Sequence, residues 1–204
     1  MANGRRIAAT VAGLALACML ASNVAGAEEF VTRYTSTAAK NCRTVKVSRP
    51  GEGEWSVLQC PGIAGLLVLV TEDDLRMTVS VGRTRAAAEK EPAASQSFSP
   101  FNNINDTLEW RSVKDAAAPF AIIQRWMLSD QQNTDRNGRP LPVGLMVVTR
   151  LSPVCHVAYV DVKANTDPNV LARQAADASA RTFDCKDKAA IVGQRGRAIE
   201  LAGR

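Results

Sequence analysis

Beyond residue 27 the chain holds four cysteines, Cys42, Cys60, Cys155 and Cys185, and their pairing restricts the shapes open to it more than any other feature. What precedes them decides how they behave. Arg5 and Arg6 form a short positive start, the stretch from Ile7 to about Leu20 is apolar, and Ala25-Gly26-Ala27 supplies small residues for a peptidase. The apolar run is shorter than the roughly 20 residues of a spanning helix and has no stop-transfer flank, which predicts a signal peptide over 1–27, cleaved after Ala27. A periplasmic or secreted chain meets an oxidising compartment, so an even set of cysteines reads as disulfides. Four cysteines allow three pairings. Cys42–Cys60 and Cys155–Cys185 are favoured, because each joins neighbours across one structural unit. No Cys-X-X-Cys spacing and a single histidine argue against a redox pair or a thiolate zinc site. One alternative uses Cys18: "LAC" is similar to a lipobox, although Ala15 stands where that motif has leucine, and acylation there would make an outer-membrane lipoprotein.

Removing the leader changes the charge. It holds two arginines and no acids, so 25 basic residues become 23 against 20 acidic, a net of +3. Much of the excess follows Cys185, where Lys186, Lys188, Arg195, Arg197 and Arg204 outweigh Asp187 and Glu200. Residues 187–204 therefore read as a basic, flexible tail, and 28–186 as a single domain. The body has no basic stripe interleaved with aromatics, which argues against nucleic-acid binding.

Hydrophobic periodicity describes mostly strands. "LRMTVSV" (75–81) alternates strictly, with Leu75, Met77, Val79 and Val81 on one side, as an antiparallel strand with one wet face does. "GLLVLV" (65–70) is apolar without alternation and suits a strand covered on both faces. Further strands are expected at "FVTRYTST", "EWSVLQC", "TLEWRSV" (107–113), "FAIIQRWML" (120–128), "VGLMVVTRL" (143–151) and "VCHVAYVDV" (154–162). Residues 83–106 have no steady period and read as a long connection, functional or mobile. Late in the chain the period changes. Asp167 suits an N-cap and Pro168 the N1 position, and Leu171, Ala175 and Ala178 share a helical face with Ala172 and Ala176 beside it. The fold class is α+β: a mainly antiparallel β-sheet with one C-terminal helix packed on one face, stapled by disulfides.

Cys155 and His156, adjacent in the chain, invite a nucleophile–base reading. In a regular strand consecutive side chains point to opposite faces, which sets Cys155 with Tyr159 and His156 with Ala158 and Val160. A dyad needs hydrogen-bond contact, and a disulfide at Cys155 removes its thiolate. "NTDRNG" (133–138) matches the opening of a calcium loop through Asn133, Asp135 and Asn137. Its twelfth position is Gly144 rather than glutamate, and Asn-Gly is itself a common hairpin turn, so the metal reading is weak. No cofactor motif is present. An uncovered sheet face carrying Trp110, Trp126, His156 or Tyr159 would bind a partner.

The order "YTST…C", "CPG", "DLR…VSVG", "FNN…LEWR", "PFAIIQRW", "VVT…CHVAYVD" and "LARQAAD…FDC" resembles a set of uncharacterised exported proteins of alpha-class proteobacteria. The resemblance spans nearly all of the chain after residue 27 and is most specific from CHVAYVD to FDC. It implies export and a shared fold, with no activity or site residue to carry over. The expected function is non-enzymatic binding of an envelope or extracellular protein, or of another cell-envelope component, with an exported hydrolase using His156 as the alternative.

Overall fold

A computed structural model describes residues 28–203 together with Met1. The signal-peptide reading of residues 2–27, including Cys18, lies outside the described residues. In chain order the elements are β1 (Phe30–Ser36), β2 (Arg43–Val47), β3 (Trp55–Pro61), β4 (Leu67–Asp73), β5 (Arg76–Gly82), α1 (Arg85–Ala88), β6 (Asn102–Val113) and β7 (Ala121–Thr134). They continue with β8 (Pro140–Arg150), β9 (Cys155–Asp161), α2 (Pro168–Ser179), β10 (Ala190–Ile191) and α3 (Arg197–Leu201).

The strands form two sheets, ordered β1-β6-β7-β8-β9-β10 and β2-β3-β4-β5. All pairings are antiparallel except the short β10, which runs parallel to β9. The sheets face each other. Val68, Val70, Val79 and Val81 of the smaller sheet share one core with Leu108, Trp110, Ile122, Trp126, Leu128, Leu145 and Val147 of the larger. The larger sheet's other face packs Ala121, Ile123, Val148, Ala158 and Val160 against Ala172, Ala175 and Ala176 of α2. Burial on both faces explains why β8 and β9, and the start of β7, are apolar on consecutive positions rather than alternating. The α2 alanines lose no side-chain entropy and let the helix lie close to the sheet. Its buried face centres on Ala172 and Ala176, and Ala178 is exposed. The expected single sheet with one helix is thus a two-sheet stack, with α2 outside it and two further short helices.

β5 departs from its expected pattern. Leu75 belongs to the preceding turn, with φ 60°, and is exposed. Ser80, on the side expected to be wet, is buried and donates to the Ala88 carbonyl at 2.8 Å. The cause is α1, whose Ala88 packs with Val57 and Leu69 on the outside of the small sheet. A Cβ on Gly82 would stand 2.6 Å from the Ala88 nitrogen, so glycine is what admits this helix.

The connection after β5, residues 83–101, is long as expected but anchored. Val154 N–H donates to Glu91 and His156 N–H to Gln96, while Ser97 donates to the Met77 carbonyl. β6 starts at Asn102, five residues before the sequence pattern suggests. Two disulfides close the chain, Cys42–Cys60 and Cys155–Cys185, the pairings that spacing favours.

The flexible tail expected at 187–204 is corrected by its packing. Ile199 and Ala198 are buried in the inter-sheet core. The buried Asp161 carboxylate accepts the N–H groups of Lys163, Ala164 and Ala198, tying the end of β9 to the first turn of α3. Asn165 and Gln194 exchange two hydrogen bonds. Arg197 forks onto Asp130 with two contacts of 2.7 Å. The basic residue counted as solvated is the counter-ion of a buried acid 67 positions earlier.

That pairing predicts an acid response. Hydrogen bonds from Arg197, then from the Asn133 amide and the Gln132 N–H, hold the Asp130 carboxyl well below the usual carboxylate range, although burial opposes them. The folded state therefore binds this proton less readily than the unfolded chain. The stabilisation is fully present above the unfolded value of about 4 and is lost as pH falls from there toward the lower folded value. Denaturant midpoints measured between about pH 7 and pH 2.5 should fall more steeply for the wild type than for Asp130→Asn. Equal slopes would remove Asp130 from the account.

Candidate functional site

The side chains picked out for binding come together, but inside. Trp110, Trp126, His156 and Tyr159 are each 2% exposed or less. Phe98 packs on three of them, with its ring centroid 5.1 Å from Trp126, 6.0 Å from His156 and 5.5 Å from Tyr159. The Trp110 indole N–H donates to Thr35 at 2.9 Å. These residues form wall, not a surface that meets a partner.

Strand parity fails at β9 for a specific reason. Val148 pairs with Ala158 while Thr149 pairs with His156, so a bulge leaves Val157 over. One extra residue in a strand turns its side chains by one position. His156 thereby joins the Tyr159 face, its Nδ1 3.0 Å from the Tyr159 hydroxyl. Cys155 is committed to Cys185, so the pair that opens a nucleophile reading contributes a disulfide and a core imidazole.

The "NTDRNG" loop closes the β7–β8 hairpin. Asp135 Oδ1 accepts the N–H groups of Asn137 and Arg139, Gly138 takes φ 75°, and the Asn133 amide donates to Asp130. The Asp135 oxygen that would face a cation holds the turn instead. Among the described residues no three His, Cys, Asp or Glu side chains are grouped to hold a metal ion.

An accessible concavity lies elsewhere, between the two sheets where the β7–β8 arm runs past their ends. It is an open groove of about 690 Å³. Leu58, Val70, Met77 and Met127 lie along it, with Leu75, Phe101, Pro140 and Pro142 also lining it. Leu75 and Phe101 are large apolar residues left exposed beside it. Glu54 and Glu72 add carboxylates, and Ser56, Asn103 and Ser129 add neutral polar groups.

A network of hydrogen bonds ties the rim of the groove together. Asn102, buried, accepts the Met77 N–H through its side-chain oxygen and donates from its amide to the Pro100 and Phe98 carbonyls. Its own N–H donates to the Leu75 carbonyl, and Ser129 N–H donates to the Phe101 carbonyl. Arg76 donates to the Ser99 carbonyl at 2.8 Å and lies 4.9 Å above the Phe101 ring, a cation–π contact. Pro140 and Pro142 precede the first β8 residue that pairs with β9, Leu145, so their missing N–H groups leave no gap in that ladder.

Sequence reading passed over most of this wall. Its one usable signal is the aperiodic 83–106 connection, of which Phe101, Asn102 and Asn103 line the groove. The remaining lining comes from strand ends far apart in the chain. Set against protein families, curated proteins and solved structures, the chain matches none.

Proposed function

We propose that the chain is an exported, non-enzymatic binding protein, periplasmic or secreted, that takes an apolar segment of an envelope or extracellular protein into the inter-sheet groove. The observation that carries this reading is the combination of exposed Leu75 and Phe101 with a Met-lined trough in an otherwise well-packed domain. Methionine adapts to irregular apolar partners, and a groove of this kind suits side chains presented by another chain. Glu54 and Glu72 favour a segment carrying Lys or Arg beside its apolar residues, because opposite charge steers encounter and fixes register. Two disulfides agree with an oxidising compartment.

The hydrolase alternative needs an imidazole that substrate can reach, and His156 is enclosed by Phe98, Trp126 and Tyr159. The lipoprotein alternative rests on Cys18, outside the described residues. Intact mass of the exported protein separates cleavage after Ala27 from acylation at that cysteine.

Anisotropy titrations with two labelled peptides test the binding reading. Both carry the same apolar residues, one flanked by lysines and the other by glutamates. The lysine peptide should bind about tenfold tighter or more, and Glu54→Gln with Glu72→Gln should erase most of that margin. Failure of both peptides to bind, or equal binding that the double variant leaves unchanged, would overturn the assignment.

A further inference from the structure

A second cavity lies on the opposite side of the large sheet, beside the first turn of α2. It has a volume of about 240 Å³ and is lined by parts of β1, β6, β7, β8 and α2. Its charges do not balance. Two arginines, Arg125 and Arg173, face one glutamate, Glu109.

Glu109 is already occupied. Arg173 donates to both its oxygens, at 2.6 and 3.1 Å, and the Thr32 hydroxyl adds a third donor at 3.1 Å. The neighbouring Arg111 is committed to Asp177 through two contacts of 3.0 and 2.6 Å. Arg125 remains. Its Nε is buried and has no hydrogen-bond partner among the described residues. A buried guanidinium N–H facing no acceptor is costly, because its lost hydration is not replaced. Such a group in a native cavity points to a ligand or water that completes it.

The other groups at the cavity are suited to an acceptor-rich guest. The Tyr34 hydroxyl accepts from Arg173 at 3.1 Å and keeps its own proton to donate. The side chains of Asn105, Thr107 and Asn169 offer further donors, while Ile123 and Met146 supply an apolar patch. The β6 irregularity between Ile104 and Leu108 lies opposite Arg125 and carries Asn105 and Thr107 to the cavity.

We propose that this cavity binds the carboxylate of a small organic acid, with Arg125 forking onto its two oxygens and a short alkyl portion resting on Ile123 and Met146. Planar guanidinium and carboxylate match in bidentate geometry. Inorganic phosphate could meet the same fork, but it would leave the apolar patch against a fully polar surface. The site is separate from the inter-sheet groove, and neither assignment depends on the other.

Nitrogen-edited NMR titration of the full folded chain tests it, with butyrate and inorganic phosphate as probes at constant ionic strength. Butyrate should shift the Arg125 Nε–H resonance and the amides of Asn105, Thr107 and Asn169 saturably, and phosphate should bind more weakly. Arg125→Gln should weaken butyrate about tenfold or more, while Arg33→Gln, which removes the same charge from an exposed site on β1, should leave it unchanged. Asn169→Asp places a negative charge at the cavity and also suits a helix first turn, so it should fold and bind butyrate more weakly. Absence of a saturable shift, retention of affinity in both Arg125→Gln and Asn169→Asp, or tighter binding of phosphate than butyrate would each overturn the proposal.

Discussion

Trp126→Ala should lower the stability of the folded chain by roughly 3–5 kcal/mol, the range for truncating a large aromatic in a closed core. Trp126 stands at the centre of the larger sheet, on β7, paired across the ladders with Ile104 on one side and Leu145 on the other. Its ring is 1% exposed and meets Phe98 edge-on at 5.1 Å and His156 at 5.9 Å. Removing it empties a space bounded by both sheets and by the connection that holds Phe98, and a stack held by two disulfides has little freedom to collapse into it. For a chain of this size, each kcal/mol lowers the thermal midpoint by about 2–4 °C, so a fall of roughly 10 °C is expected. Urea unfolding and calorimetry should agree on the loss. Trp126→Phe should recover much of it. A loss under about 1 kcal/mol would mean that the core repacks around the gap.

Loss of the disulfides should have an effect of similar size. The Cys42–Cys60 bond closes a separation of 18 residues and Cys155–Cys185 one of 30. The chain-entropy account assigns about 3 kcal/mol to the shorter loop and about 3.5 to the longer. Alanine is the suitable replacement, because Cys60 and Cys155 are buried and a serine hydroxyl would need a partner there. The Cys155→Ala, Cys185→Ala pair should lose more, since that bond ties the start of β9 to the chain leaving α2 and holds the helix layer over the sheet. Denaturant midpoints of the two double variants should rank in that order. Four thiols that alkylate freely in the native protein would sink both expectations.

Local pattern made individual elements readable, and long-range pairing hid how they assemble. "FAIIQRWML" is a strand by composition, and Asp167-Pro168 marks the start of α2, because neighbours in sequence write both signals. Nothing near Phe30 or Val113 says that β1 pairs with β6 across more than seventy positions. Likewise, no local signal divides ten strands between two sheets. Parity in β9 broke at Val157 because a bulge depends on partners in β8 as well as on its own residues. The tail misled for a related reason. Composition counts Arg197 as one more basic residue, and only the fold brings it to Asp130. Both cavities are assembled by the same remote pairings, so Arg125 reads as one polar residue within a strand until Glu109, Arg173 and the β6 bulge are seen around it.

The position of α3 also sets the order of events as the chain is made. Ile199 completes the inter-sheet core, and the Asp161 and Asp130 carboxylates find their last donors at Ala198 and Arg197. Synthesis runs from the other end. Until residues 197–202 have emerged, the growing chain lacks the Arg197 and Ala198 donors that complete these two acids, and its core is open at one side. The β1–β6 edge must likewise wait for a distant strand. Removing residues 197–202 should therefore open the inter-sheet core and strip donors from two buried carboxylates at once, a larger loss than their number suggests. A single short helix thus fastens β7 and the end of β9 to one another across the core.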